Sequence, residues 1–543
     1  MSETYHSHIL DHLGLVAGMV EELGIVEVID QATKQDPEMH IVTAGHAVKA
    51  MILNGLGFVN QQLYLVPHFF HNKPTSRLVA PGIDARHLND DTLGRALDTL
   101  YAVGVTEIYS LIAATAAKRL GLTPTFMHLD STSFHVDGRY ERGDDTPDHV
   151  ITLTRGYSRD HRPDLNQVML DLMVEHQAGL PVLMKPLSGN SSDTQDFAQI
   201  IQAHLTQLQI TYGATYVVAD SALYSAENLR TLAQTDTKWI TRVPATLGEA
   251  HEVLRQARPE TMAALAEGYR YQVWPSSYGG VEQRWLVIHS TQRQEQARRR
   301  VAKQWRKQSD DELKAWKKLC GTAFACEADA HQALAQFTRG LQATSVQHSA
   351  IRATPRYSKR GRPTPGQAPS QIVYYLAGAL ASSWLTHSQR VTQQSCFILA
   401  TNELDEHRLT PPQLLAGYKG QKHAERGFRF LKAPQFLASS LYLKKAERIM
   451  ALLMVMTVCL LVYTALEYRI RTVLQANEAS FPDQKGKRIH NPTARWVFHY
   501  FVGIHLLYRG REYPLVLNLT ADHENLLRLL GNPYTWFYGV KNS

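Results

Sequence analysis

The sequence predicts an α/β protein: a mixed sheet flanked by helices, interrupted by an insertion and preceded by a helical N-terminal domain. Three observations predict it. Apolar residues recur at a spacing of about 3.6 through the first 122 residues, the period of a helix with one buried face. From Thr125 the pattern changes to short apolar or alternating runs, FMHLD, NQVMLDLMVE, LPVLMKPL, ATYVVAD and KWITRV, which read as strands. A long polar and basic stretch then intervenes before another strand-like run, CFILAT, and further helices, so one domain is interrupted rather than followed by a second.

Taken in order, residues 1–122 form a helical N-terminal domain, a candidate for end-DNA binding. It contains HILDHLGLVAGMVEELGIVEVI, HAVKAMILNGLGFV and TLGRALDTLYAVGVTEIYSLIAATAAKRLGL, the last preceded by HLNDDT, good N-capping chemistry. Residues 123–244 hold the first part of the core, with helices at TQDFAQIIQAHLTQL and SAENLRTLAQT between strands. Three strands in succession, then a helix and another strand, predict a sheet of mixed direction. Residues 245–390 form the insertion: a very basic helix, RQEQARRRVAKQWRKQ, a long helical run and a Pro/Gly-rich basic loop. Residues 391–475 complete the core. Residues 476–543 begin with an extended polar segment, continue in two helical pieces, and are left for dimerisation or DNA contact.

The chain has 543 residues, enough for two or three domains, and with 44% apolar and 20% charged residues it is expected to be globular. A net charge of +7 is modest over so large a surface, and it points to an anionic partner only if the basic residues cluster. Cys320, Cys326, Cys396 and Cys459 form no CxxC pair, which fits a reduced cytoplasm. MSETYHSHIL lacks the features of a signal peptide. Ile449 to Leu466, 18 residues almost wholly apolar, would just reach across a bilayer, but charged flanks at both ends suit a buried helix, and no membrane partner is expected.

Two predicted strands end in a carboxylate, Asp130 and Asp220. The sheet fixes such a residue where it meets solvent, a good place to ligate Mg²⁺ through oxygen; a strand also ends in Asp simply to begin a turn. In AGYKGQKHAERGFRFLK, one continuous helix with Tyr418 at zero would put Gln421 at about 300°, Glu425 at about 340° and Lys432 at about 320°, all on one face. Between Tyr418 and Lys432, Lys419, Lys422, Arg426, Arg429 and Lys432 surround the single acid Glu425. A metal ligand beside a phosphate backbone needs this pattern; a solvated surface helix can also show it.

The spacing Tyr418, x2, Gln421, x3, Glu425, x6, Lys432 resembles the Y-x2-R-x3-E-x6-K signature of the insertion-sequence-4 family of transposases, and more closely its insertion-sequence-1634 branch. DSTSFHVDG at Asp130, GYSRDHRPDLNQ at 156–167, SGNSSD at 188–193, VVADSALYSAENL at Asp220 and NPTARWVF at 491–498 agree with it. Gln421 departs from it, since the wider group has Arg there and a neutral amide brings no charge. The resemblance implies a ribonuclease-H-like mixed sheet with the insertion before the catalytic glutamate, and Asp130, Asp220 and Glu425 as a catalytic triad holding two Mg²⁺ or Mn²⁺ ions. It also implies cleavage at transposon ends, joining of the 3′-hydroxyls to target DNA, and a homodimer on double-stranded DNA. Tyr418, Gln421, Lys432 and Arg242 fall on DNA-contacting positions by the same resemblance; Trp239 reads as core.

Seven Lys/Arg against one acid between Arg293 and Lys307, including Arg298, Arg299 and Arg300, offer a second phosphate-binding surface or a solvated helix. Arg360-Gly361-Arg362-Pro363 resembles the AT-hook core and equally suits a flexible basic linker. Two rivals remain open: a small-substrate metallohydrolase drawing on His128, Asp130, His135 and Asp220, and an inactive or architectural DNA-binding protein derived from a transposase.

Overall fold

The computed structural model describes residues 5–36, 38–58, 63–136, 140, 147, 149–157, 162–191, 200–201, 203–204, 211–213, 215–235, 237–358, 366–433, 443–509 and 514–541. The chain divides into two compact units: Met1–Thr241 with Tyr278–Val281 and Gln413–Ser543, and Arg242–Ser277 with Glu282–Pro412.

In the first unit the N-terminal helices are α1 (Leu13–Glu22), α2 (Ile25–Thr33), α3 (Ala44–Leu56), α4 (Asp90–Val103) and α5 (Val105–Arg119). The HLNDDT segment caps as its chemistry predicts, with the Asn89 side chain accepting from the Thr92 N–H at 3.0 Å. The apolar run from Thr92 to Leu122 forms two helices, bent by 90°. Gly104, at φ 111°, takes up a conformation there that costs other residues dearly. The helices share a unit with the sheet, and the Tyr109 hydroxyl donates to the Pro181 carbonyl at 2.7 Å.

Five neighbouring strands lie in this unit: β1 (Phe126–Val136), β2 (Asn166–Glu175), β3 (Pro181–Ser188), β4 (Tyr216–Ala219) and β5 (Lys238–Arg242), with α6 (Ala226–Ala233) between the last two. Their order is β3-β2-β1-β4-β5. The first three pair antiparallel, whereas β1–β4 and β4–β5 pair parallel, so the sheet is mixed, as the strand succession predicts. The β4-α6-β5 connection is the helical crossover that parallel neighbours require.

The second unit has an antiparallel sheet of β6 (Ala263–Ala266), β7 (Tyr269–Ser276), β8 (Gln283–Ser290) and a later strand, in the order β11-β8-β7-β6, where β11 is Cys396–Thr401. Between β8 and β11 come α7 (Thr291–Cys320), α8 (Glu327–Gly340), the hairpin β9 (Thr344–Arg356) with β10 (Gln371–Ser382), and α9 (Trp384–Ser395). The basic helix is longer than its sequence core, 30 residues. The insertion also holds three strands and a hairpin that its charge pattern does not announce; YRYQVWPS, QRWLVIHS and QIVYYLAGALAS are rich in the β-branched and aromatic residues that favour strands.

The chain then gives α10 (Pro411–Lys419), α11 (Lys422–Leu431), α12 (Ala446–Ala476), α13 (Ala494–Tyr500) and α14 (Ala521–Leu530). Helix α12, apolar all round and long enough to cross a membrane, is 89% buried over its most apolar window. It packs against α1, α3, α4, α5, α11, α13, α14 and β3. Its flanking charges are paired within the unit: Arg448 with Asp98 at 2.7 Å and Arg469 with Glu22 at 2.9 Å. The chain ends meet as well, the strand Tyr5–Ile9 pairing antiparallel with His505–Arg509. Leu461 in α12 is fully buried, so Leu461→Ala is expected to cost about 2–5 kcal/mol through the cavity it leaves. Hydrogen exchange of the α12 amides should show it as faster opening; unchanged protection would mean that α12 is not the core of this unit.

Candidate active site

The parallel pairing of β1 and β4 ends at Leu129 opposite Ala219. One residue further along each strand stand Asp130 and Asp220, on the same face of the sheet and about one strand spacing apart, roughly 4.8 Å. Asp130 is not at a strand end, as the FMHLD run suggests. The β1 strand continues to Val136 because STSFHV pairs antiparallel with β2, and only the parallel partner stops. Asp220 does end its strand and also begins a turn: its side chain accepts from the Ala222 N–H at 2.8 Å. The Thr241 hydroxyl donates to the Asp220 carbonyl at 2.6 Å, and an Asp130 carboxylate oxygen accepts from the Ser131 N–H at 2.9 Å. Both aspartates are half-buried, held by the sheet yet reachable.

The helix expected from Tyr418 to Lys432 is broken. Tyr418 lies in α10, Glu425 in α11, and Gln421 is the residue before α11, making no side-chain cap. The shared face therefore holds for Glu425 and Lys432 and does not extend as one helix to Tyr418 and Gln421. The cause is Gly420, a poor helix former that sits hard on β1: a Cβ there would lie 2.6 Å from His128 Nε2. Gly417 similarly lies on the Phe126 ring, 2.8 Å from an added Cβ. Further on, the Lys432 ammonium stands 5.8 Å from the centre of the Phe134 ring.

These contacts set the glutamate. From Gly420 to Lys432 the chain rises about 18 Å at 1.5 Å per residue, and from His128 to Phe134 β1 advances about 20 Å at about 3.3 Å per residue. The two elements thus run side by side in step. Glu425, about 7.5 Å along from Gly420, comes level with Asp130, about 6.6 Å along from His128. Phe126, His128, Asp130 and Phe134 share one face of β1 by strand alternation, and the contacts with Gly417, Gly420 and Lys432 put the glutamate helix over that face. Glu425 is exposed.

Among the described residues, no three His, Cys, Asp or Glu side chains converge closely enough to hold a metal ion as they stand. The donor chemistry still fits a hard divalent cation: two carboxylates on adjacent strands supply oxygen, a third stands level with them, and such an ion keeps waters that phosphate can replace. His128 beside them is wholly buried, and neither ring nitrogen meets a hydrogen-bond partner among the described residues. Burial, then His423 and His176, pushes its imidazole down to about 3. Strand alternation turns His135 to the opposite face from His128 and Asp130, so the set drawn on by a small-substrate metallohydrolase does not assemble.

Sequence reasoning missed the support behind the glutamate helix. Glu467 of α12, buried, accepts from Arg426 at 2.7 Å, from Arg471 at 2.9 Å and from the Ala494 N–H at 2.9 Å. Ala494 belongs to NPTARWVF, whose Thr493 caps α13 by accepting from the Trp496 N–H at 3.3 Å. The signal was an acid that directly follows the apolar run Ile449 to Leu466 and stands four residues before Arg471.

In the second unit, Arg298, Arg299 and Arg300 are exposed on α7, whose buried face carries Ala297, Val301 and Trp305. Arg242 is the last residue of β5 and the first of that unit. Trp239 is fully buried, its ring 6.4 Å from that of Tyr224. Arg360 and Arg362 lie outside the described residues, as do residues 158–161 and 192–193 of two of the motifs.

Residues 5–114 match a domain of unknown function, DUF4277. Among solved structures, the chain is similar to piggyBac transposase in its cryo-EM synaptic complex with hairpin DNA, at 10% identity and a TM-score of 0.36 over 90% of this chain and 79% of that one. No curated protein matches it. Residues 122–462, more than half of the chain and the span that carries both aspartates and the glutamate helix, match the transposase DDE domain, and the protein belongs to that family of transposases.

Proposed function

We propose that this transposase binds the terminal inverted repeats of an insertion sequence, cleaves the DNA at those ends and joins the freed 3′-hydroxyls to target DNA. The observation that carries the reading is the strand register that sets Asp130 beside Asp220, with Glu425 level on the overlying helix. The sheet order supports a ribonuclease-H-like core: an antiparallel trio continues into parallel strands, and the carboxylates gather at the carboxyl end of the parallel pair. Asp130, Asp220 and Glu425 would hold two Mg²⁺ or Mn²⁺ ions, which supply activation of the attacking oxygen and stabilisation of charge in an in-line displacement at phosphorus. The chain's own task is positioning. The strands fix two carboxylates, the glutamate helix brings the third, and Tyr418, Gln421, Lys432 and Arg242 grip DNA phosphates around them. Two ends cut and joined in concert call for a homodimer on DNA. The insertion-sequence-4 assignment, in its insertion-sequence-1634 branch, rests on the ordered motifs around these residues.

The direct test is Mg²⁺-dependent cleavage of duplexes carrying the element's own terminal repeats. Cleavage at the repeat boundary supports the reading. Binding without any nicking would make the chain an architectural descendant instead.

Lys432 gives a finer test. It lies seven residues beyond Glu425, about 10.5 Å along the helix, too far for the pairs at three or four residues that stabilise helices by about 0.2–0.5 kcal/mol. With neutral Gln421 in the arginine position, Lys432 carries more of the local charge. Lys432→Ala is expected to weaken end binding and lower its salt slope by about one unit, whereas Gln421→Arg is tolerated. An unchanged slope would leave Lys432 as a packing partner of Phe134 alone.

A further inference from the structure

We propose that Glu467 is a positioning residue for the reaction: through Arg426 it fixes the rotation of the glutamate helix, and with it the direction in which Glu425 presents its carboxylate. The proposal rests on the reading of Asp130, Asp220 and Glu425 as metal ligands.

Helix α11 is only ten residues long. It follows the break at Gly420, and its apolar contacts come from Ala424, Gly427, Phe428 and Leu431. Behind it lies a cavity of about 250 Å³ lined in part by His423, Phe430, Leu460, Tyr463, Glu467 and Arg495. A short amphipathic helix with open space on one side can roll, and a roll of one helical position, about 100°, would turn Glu425 away from β1. The Arg426–Glu467 pair opposes the roll. Arg426 is adjacent to Glu425, so holding one guanidinium fixes the azimuth of the neighbouring carboxylate.

The anchor itself is rigid. The Glu467 side chain is 7% exposed and sits on the 31-residue core helix α12. Besides Arg426 it accepts from Arg471 and from the Ala494 N–H, so its carboxylate is held in place by groups outside the glutamate helix. A buried carboxylate with two guanidinium partners and a backbone donor is a costly arrangement for stability alone, since an apolar residue of similar volume would often do as well. Glu467 also lies just beyond the span matched by the transposase domain, 122–462, so the strut joins that domain to the C-terminal NPTARWVF segment.

The test uses full-length protein without DNA, reading Mn²⁺ binding by the paramagnetic resonance of the free ion and the hydrogen exchange of residues 422–431. Glu467→Gln keeps the shape and removes the charge. Arg426→Met cuts the strut from the helix side while Glu467 keeps Arg471 and the Ala494 N–H, and it decides the matter if Glu467→Gln does not fold. Both variants are expected to bind Mn²⁺ about tenfold more weakly, the lower end of what loss of an outer-shell partner costs. The helix amides should exchange faster. Glu467→Asp, which retains the charge, should recover part of the affinity. If folded variants bind Mn²⁺ as the parent does while Glu425→Ala binds it more weakly, the strut is overturned and the ligand reading stands. If Glu425→Ala also binds as the parent does, both are overturned.

Discussion

Asp130→Ala, Asp220→Ala and Glu425→Ala are each expected to abolish end cleavage, by about 10³-fold or more, while leaving end binding largely intact. Metal ions contribute several kcal/mol to the transition state of such a displacement, and each 1.36 kcal/mol is about tenfold in rate. On the proposed reading, the binding energy would come from phosphate contacts elsewhere on the surface and would not depend on these carboxylates. Local folding is the competing explanation for Asp220, whose side chain caps the turn at Ser221–Leu223; loss of such a cap costs about 0.5–2 kcal/mol. Asp220→Asn retains an acceptor for the Ala222 N–H and removes the charge, so it separates the two causes. It should cleave as poorly as Asp220→Ala and unfold at nearly the parent temperature. Any single variant that cleaves near-normally in Mg²⁺ removes its residue from the triad.

The five strands of the first unit were legible because each is a short apolar run between polar segments, and both aspartates could be picked out as neighbours of such runs. That Asp130 and Asp220 stand side by side was not legible, since register is a property of two strands and no single run encodes it. The break at Gly420 was missed for a related reason. At 100° per residue, Tyr418 to Lys432 forms a tidy face, and only the close approach of Gly420 to His128 explains why the helix stops there. Gly104 was similarly passed over inside a strong apolar period. In the insertion, the charge of Arg293 to Lys307 marks a helix but says nothing of the segments on either side, which form β7, β8 and β10. Glu467 has no motif of its own. Its meaning depends on three partners, the nearest four residues away and the farthest 41, and becomes visible only when α11, α12 and α13 meet.

Replacing Arg300, Lys303, Arg306 and Lys307 together by Gln is expected to lower the salt dependence of DNA binding more than any other surface change. At about 100° per residue these four fall within an arc of about 120° on α7, opposite the arc that carries the buried Ala297, Val301, Trp305 and Trp316. All four are exposed. Arg299, by contrast, is already engaged with Glu295 at 3.3 Å and should contribute less. Each phosphate neutralised on duplex DNA adds about 0.9 to the slope of log affinity against log salt, so four lost contacts would reduce it by about 3 to 4 units. Gln matches Lys and Arg in helix propensity, and the buried face is untouched, so the helix itself should persist. Cleavage per bound complex should be retained because the carboxylates lie in the other compact unit. The measurement is a titration of duplex affinity from low to moderate salt, for the parent and the quadruple variant, with circular dichroism as the control for folding. Superimposable salt slopes would show that this face of α7 is solvated and that DNA is held elsewhere on the protein.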